Sequence, residues 1–489
     1  MTWRVLRVVL AALVASGCAP LRPVAPSGSD ALDACRAFYH VLDASIDRAA
    51  VRDGGAARIA GFPYLRVDRL LASFANEDLR QDQVRAWMDQ LVALDLQART
   101  IELANLPRAD LDRIALDDVD VDARLRDCAT RLSSADLADA SRVETLRRVA
   151  RVPDDYDTWK RVAGVYWLTR VPFAAGVRRY QAEVARAFAT APADLPVRGR
   201  LVAYRTASSD PPAVRMRMPA DALGIPRPDP ITLTRLFAVH APVWVVDELD
   251  ENDRIGRVRW SSGAVLHVDT AQPTEYRRIA YTRAGTHTLL QLVYSVWFPA
   301  RPKASALDLL AGQLDGIVWR VTLAPDGAPL IFDSIHSCGC YHQFFPTVRA
   351  VPLAQRSTLE EGAFVPQRLD RIAARLAVRV AARTHFLQRV HAVDAVRTAA
   401  RDLVPETDDA LRSLPLDEGG RRSAFRSDGM VAGSERGERL VFWPMGVRSP
   451  GAMRQWGRHA TAFVGRRHFD DARLLERYFR FDLASAPAR

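Results

Sequence analysis

The chain has 489 residues, of which 48% are hydrophobic and 26% charged, with a formal net charge of +10 at pH 7. That apolar share excludes a disordered chain, and the length predicts two to four packed domains. The charge does not predict a nucleic-acid partner. Only Lys160 and Lys303 are lysines, and the arginines alternate with acids, as in Arg66-Val-Asp68-Arg69 and Asp370-Arg371; interspersed signs belong to solvated helix faces rather than basic patches.

Residues 1–18 read as a targeting segment. Arg4 and Arg7 lead into the apolar run Val8 to Val14, which Ala15-Ser16-Gly17-Cys18 closes with small residues. This charged, apolar, small-residue order is that of a secretory signal. Val5 to Gly17 falls short of the about 20 apolar residues that span a bilayer. The ending resembles the lipobox of bacterial lipoproteins, with Ala15 where the usual pattern has Leu. The resemblance implies that Cys18 carries the lipid and becomes the new N-terminus. It places the chain at the bacterial cell envelope, facing the periplasm, with the membrane as partner through the lipid. Ala19, where an Asp would retain the protein at the inner membrane, favours the outer membrane. Residues 19–30 are rich in Pro, Ser and Gly and read as a semi-rigid tether.

From 31 to 191 the periodicity is helical. Val84, Trp87, Met88, Leu91 and Leu94 follow i, i+3, i+4, i+7 spacing, and Trp159, Val162 and Tyr166 repeat it. Cys35 is in register with Leu32, Phe38 and Leu42, and Cys128 with Leu125 and Leu132, so both face a core. With Cys18 assigned to lipid, four cysteines remain in an oxidising compartment, and a Cys35–Cys128 disulfide is expected between two helices.

From 195 to 350 the period switches to two. Leu290, Leu292, Tyr294, Val296 and Phe298 alternate along one run, and Ile317, Trp319, Val321 and Leu323 along another. Ala324-Pro-Asp-Gly327 and Ala284-Gly285 are hairpin turns. A mostly antiparallel sheet is expected, with a short helix near Ser305–Leu314. Residues 351–489 complete that domain: a helix after Pro366 carrying Leu369, Ile372, Leu376 and Val380, a loop over Glu418–Gly437, a strand at Leu440–Trp443 and a helix at Asp470–Phe481. The fold class is α+β.

One constellation has chemical character. His336-Ser-Cys338-Gly-Cys340-Tyr-His342 sets four ligand-type residues at two-residue spacing, on one face if the segment is a strand. A straight strand would hold the outer pair about 20 Å apart, too far for one ion, but Gly339 permits a turn. Three chemistries compete here. The first is a zinc or copper site, with His267 or His287 as outside ligands. The second is a local disulfide, and the third a Cys nucleophile with His336 or His287 as base and Asp269 or Asp333 as orienter. His240 reads as a core histidine, His385 and His391 as helix-surface or packing residues, and His459 and His468 as part of a solvated basic edge. Asp250-Glu-Asn-Asp253 reads as an acidic turn. The lipobox and the Trp297-Phe-Pro…His342 block together resemble uncharacterised envelope lipoproteins of proteobacteria, a resemblance that brings no activity with it. Two functions are therefore expected: an envelope binding or assembly protein that engages an envelope partner, or a metal-dependent hydrolase centred on the Cys/His segment.

Overall fold

The computed structural model describes residues 30–114, 120–206, 218–354, 360–370, 375–393 and 398–484. The signal, Cys18, the tether and Ile372 lie outside them. The described residues form an α+β fold, with helices early in the chain and one large mixed sheet after them.

Helices α1 (Asp30–Arg48), α2 (Gln81–Asn105) and α3 (Val121–Ala138) pack around a hairpin of Ala57–Ile59 and Phe62–Val67, through a core that includes Tyr39, Phe62, Trp87 and Leu91. Cys35 of α1 and Cys128 of α3 form the expected disulfide. The hairpin carries a charge into this core. Arg66, fully buried, is held by Asp95 (3.1 Å) and by both oxygens of Glu102 (2.8 and 2.7 Å), and Arg99 joins from the same face of α2. Farther on come α4 (Thr158–Ala163), α5 (Tyr166–Ala189) and α6 (Pro230–His240), the last entered through Asp229, whose side chain accepts from the Ile231 and Thr232 N–H groups.

Ten strands make the sheet: β1 (Arg200–Thr206), β2 (Val243–Glu248), β3 (Thr274–Ala284), β4 (His287–Arg301), β5 (Gly312–Leu323), β6 (Pro329–His336), β7 (Gln343–Pro346), β8 (Leu376–Val380), β9 (Leu387–Ala392) and β10 (Ala399–Thr407). Their order across the sheet is β7-β6-β5-β4-β3-β10-β1-β2-β8-β9. From β3 to β7 the chain runs as an antiparallel meander, with the expected turns at Gly285 and Gly327, both at positive φ. The far half is mixed: β10 is parallel to both β3 and β1, and β8 is parallel to β2. One face packs Leu292, Tyr294, Trp319 and Phe332 against Val184 and Phe188 of α5 and Leu236 and Phe237 of α6.

Four local expectations are corrected. Leu376 to Val380 is a strand buried on both faces, because a short, β-branched apolar run in a central position is read by its neighbours rather than by helical spacing. No helix forms over 305–314; the Asp308 carboxylate accepts from the Ala304 and Leu310 N–H groups and holds a turn instead. Residues 439–442 are a short helix, α7 (Arg439–Phe442), not a strand. The final helix is confined to Leu474–Tyr478, and Phe479–Phe481 pairs with Ala350–Pro352 as strands. The 418–437 loop places Met430, Val431, Ser434 and Arg436 inside the protein.

Candidate functional site

Strand β6 leaves the sheet at His336 and returns as β7 at Gln343, so the Cys/His segment is the turn between them. Gly339 N–H donates to the His336 carbonyl (2.7 Å), and His336 N–H donates to the Cys340 carbonyl (3.0 Å). Gly339 sits at φ +91, where a Cβ would stand 2.5 Å from the Ala460 carbonyl oxygen, so glycine is required there on two counts. Tyr341 also takes a positive φ. The turn is pinned from outside: Ser337 N–H donates to the Gly316 carbonyl, and Arg454 donates through its N–H to Ser337 O and through Nε to Cys338 O.

The turn does not gather its four ligand-type side chains. His336 is paired across the sheet with Ile317, and Asp333 with Arg320. Cross-strand partners share a face and neighbours alternate, so His336 and Asp333 lie on opposite faces. His336 faces Asp315, its Nδ1 3.5 Å from the carboxylate. His342 folds back to Asp333 on the other side, Nε2 to Oδ2 2.8 Å, and Arg320 holds the same carboxylate at 2.9 Å through Nε. Cys338 packs beneath the hairpin of Arg257–Trp260 and Leu266–Asp269, while Cys340 is half-buried; both are free thiols. A hydrogen bond between them lowers the Cys338 pKa and raises that of Cys340. Among the described residues no group of three His, Cys, Asp or Glu is placed to hold a metal ion.

The outside ligands fare no better. Leu266 and Val268 of their hairpin point inward, which leaves His267 exposed, with Asp269 tied to Arg259. His287 is exposed at the opposite end of β4, roughly 30 Å along the strand from Trp297 beside the turn. The residues expected as a zinc or copper site, His336, Cys338, Cys340 and His342 with His267 or His287, are thus not brought together in this structure: His336 and His342 lie on opposite faces of the sheet. The Cys–His–Asp arrangement does not form with His287, which stands far along β4, and Asp269 faces Arg259 instead of a histidine.

Sequence reading missed two elements here. His385, expected as a surface or packing residue of a helix, lies in the turn between β8 and β9 and is fully buried between Asp315 (Nδ1, 2.8 Å) and Asp253 (Nε2, 3.4 Å), stacked on Phe298 at 4.0 Å. Burial pushes its pKa down, but the two carboxylates outweigh burial and raise it. Burial would likewise raise Asp315; Arg436 and His336 outweigh that and hold it well below the usual carboxylate range. His459, expected on a solvated edge, is buried, and burial lowers its pKa to about 3. Burial also lowers His342 to about 3, so its imidazole is neutral, with Nδ1 unpartnered. His240 is half-buried with its Nε2 shielded from solvent, and burial lowers its pKa to about 4.

The second missed element is a cavity of about 550 Å³ that opens beside this turn. Helix α5 supplies Pro172, Phe173, Gly176 and Val177 to one wall, and Phe364, Phe386, Phe442 and Phe463 close others. Phe173, Phe442 and Phe463 form an aromatic cluster with centroids 5.2 to 6.4 Å apart. Cys340, Tyr341 and His342 reach it from the turn, joined by Arg301, Glu438 and Arg467. Arg301 hydrogen-bonds Tyr341 and lies 5.1 Å from the Phe386 ring centre. Burial raises Glu438 to about 7 despite Arg436, Arg301 and Arg454. A chamber rich in aromatic side chains, with Glu183 and Glu361 adding to the charged groups at its wall, suits an amphipathic small molecule.

Comparison of the chain with protein-family models, curated proteins and solved structures gives no match.

Proposed function

We propose that this is an envelope lipoprotein, anchored through Cys18 and delivered to the outer membrane, that binds an amphipathic small molecule in the cavity between α5 and the β6–β7 turn. The cavity carries the reading: a chamber of about 550 Å³, walled by aromatic side chains and ended by Arg301, Glu438 and Tyr341, matches a ligand with an apolar body and a polar head. The buried groups around it favour binding over turnover. His342 is neutral and its carboxylate Asp333 is already committed to Arg320, and the two free thiols hydrogen-bond each other. The lipobox resemblance supports the anchor and the envelope location. No helix among the described residues is long and apolar enough to cross a membrane.

Gly176 offers a clean test. It lines the cavity, and a Cβ added there meets no atom within 4 Å, so Gly176→Phe adds a ring to the chamber without a backbone clash. Protein purified from cell envelopes should yield a co-purifying amphiphile by mass spectrometry and should bind a fluorescent fatty-acid probe. Gly176→Phe should lose both while keeping its melting temperature. Equal loading of the two proteins would sink the proposal.

A further inference from the structure

Helices α4, α5 and α7 turn large apolar side chains outward. Trp159 is 66% exposed, Val162 75%, Trp167 70% and Leu440 72%, with Leu168 and Val171 beside them. Singly exposed apolar residues are ordinary, but a group sharing one surface marks an interaction site. These do share one. Only residues 164 and 165 separate α4 from α5, Gly164 is pressed so tightly on Pro444 that an added Cβ would come within 2.5 Å of it, and Phe173 of α5 meets Phe442 of α7 at 5.2 Å. The first half of α5, Tyr166-Trp-Leu-Thr-Arg-Val-Pro-Phe-Ala-Ala-Gly-Val, has almost no polar face. Such a helix needs apolar surroundings on both sides, and the protein supplies only the inner one.

We propose that this face docks on an anionic lipid bilayer, an inference that rests on the envelope reading above. Two observations choose lipid. First, the border is cationic. Lys160, Arg178, Arg179 and Arg439 stand around the apolar centre; Lys160 and Arg179 are offset by Asp157 (2.8 Å) and Glu183 (3.4 Å), which leaves Arg178 and Arg439 as the border's net positive charge. Tryptophan at the level of the headgroups, with Lys and Arg beside it, is the pattern of a segment lying in a membrane interface. A second copy of this chain would bring the same positive border against itself, which disfavours a symmetric dimer. Second, the face is continuous with the cavity. Val171 points out of α5 while Pro172, Phe173, Gly176 and Val177 line the chamber, so one helix, about 10 Å across, separates lipid from ligand site. The surface thus gives the amphiphile a short path from the bilayer to its pocket. A tether from Cys18 to residue 30 reaches at most about 40 Å, which keeps the body close enough for this face to rest on the membrane.

The test uses the full protein purified from envelopes and reconstituted in vesicles whose phosphatidylglycerol or phosphatidylcholine carries brominated acyl chains, which quench tryptophan within the bilayer. Flotation reports the anchor, and quenching reports the face. Strong quenching is expected in phosphatidylglycerol vesicles and several-fold less in phosphatidylcholine. Trp159→Phe with Trp167→Phe should remove most of it. Val162→Asp with Leu168→Asp should abolish quenching without changing flotation or the melting temperature. Protein that floats but shows no quenching, or quenching that the aspartate pair leaves intact, overturns the docking surface and spares the anchor. Loss of a concentration-dependent dimer in the aspartate variant would reassign the face to a second copy and equally overturn it. Failure to float refutes the anchored reading; bromolipid quenching of that same protein added in solution then decides the face on its own.

Discussion

His336 and Cys340 close the turn between β6 and β7 with a backbone hydrogen bond, the His336 N–H donating to the Cys340 carbonyl at 3.0 Å. The bond exists because Gly339, between them, takes φ +91 against the Ala460 carbonyl oxygen. Gly339→Ala adds left-handed strain and a 2.5 Å contact at once. A loss of about 2–4 kcal/mol is expected in urea unfolding, together with loss of probe binding in the cavity that Cys340 and Tyr341 line. Gly176→Ala, which meets nothing, is the matched control and should be near neutral in tertiary packing.

Glu438 makes stability fall as pH rises. Its folded pKa of about 7 stands above the ordinary 4.5, so the folded protein binds the proton more tightly than the unfolded chain. The cost of the buried charge is absent below about pH 4.5, grows through the window to about pH 7, and is complete above it, on the order of 3 kcal/mol. Glu438→Gln should therefore match the wild type near pH 5 and exceed its stability by about 1–3 kcal/mol at pH 8. Parallel stability curves for the two proteins would contradict this.

The Cys35–Cys128 disulfide closes a span of 93 residues. In the loop-entropy treatment such a crosslink stabilises by about 4–5 kcal/mol. Cys35→Ser with Cys128→Ser should lower the unfolding midpoint accordingly, and dithiothreitol should reproduce the effect on the wild type while leaving the double variant unchanged.

Arg66 is the charge on which the helical core depends. Replacing it by Met leaves Asp95 and Glu102 facing one another with only Arg99 between them, all fully buried. Breaking one side of such a network costs about 3–5 kcal/mol. Replacing Arg66 and Glu102 together by Met and Leu should recover much of that loss, and urea titration of the two variants measures the difference.

The sequence showed elements wherever a local signal was strong. Trp87, Met88 and Leu91 on one helical stripe, the cysteines in register with it, and the Ala324-Pro-Asp-Gly327 turn all stand where periodicity put them. It misled where tertiary neighbours decide. Leu369, Leu376 and Val380 fit a helical stripe while Leu376, Val378 and Val380 fit a strand, and the pairing with β2 on one side and β9 on the other selects the strand. At the site, two-residue spacing implied one shared face, but the turn at Gly339 throws His336 and His342 to opposite sides of the sheet. Asp253, Asp315 and His385 are scattered over 132 positions, and no spacing signals their meeting. One overlooked signal was legible: the apolar first half of α5 has too little polarity for a solvated helix.

Strand β10 lies between β3 and β1 and is parallel to both, although it comes from residues 399–407. It is the seam that joins the meander to the β1-β2-β8-β9 half. A chain growing from its N-terminus therefore holds two open sheet edges until residue 407 has appeared. A polypeptide that cannot complete its sheet early stays threadable, which is what the proposed envelope delivery would require. The same arrangement makes the protein intolerant of C-terminal shortening: removal of the chain from 399 onward would expose β3 and β1 as unpaired edges and invite aggregation.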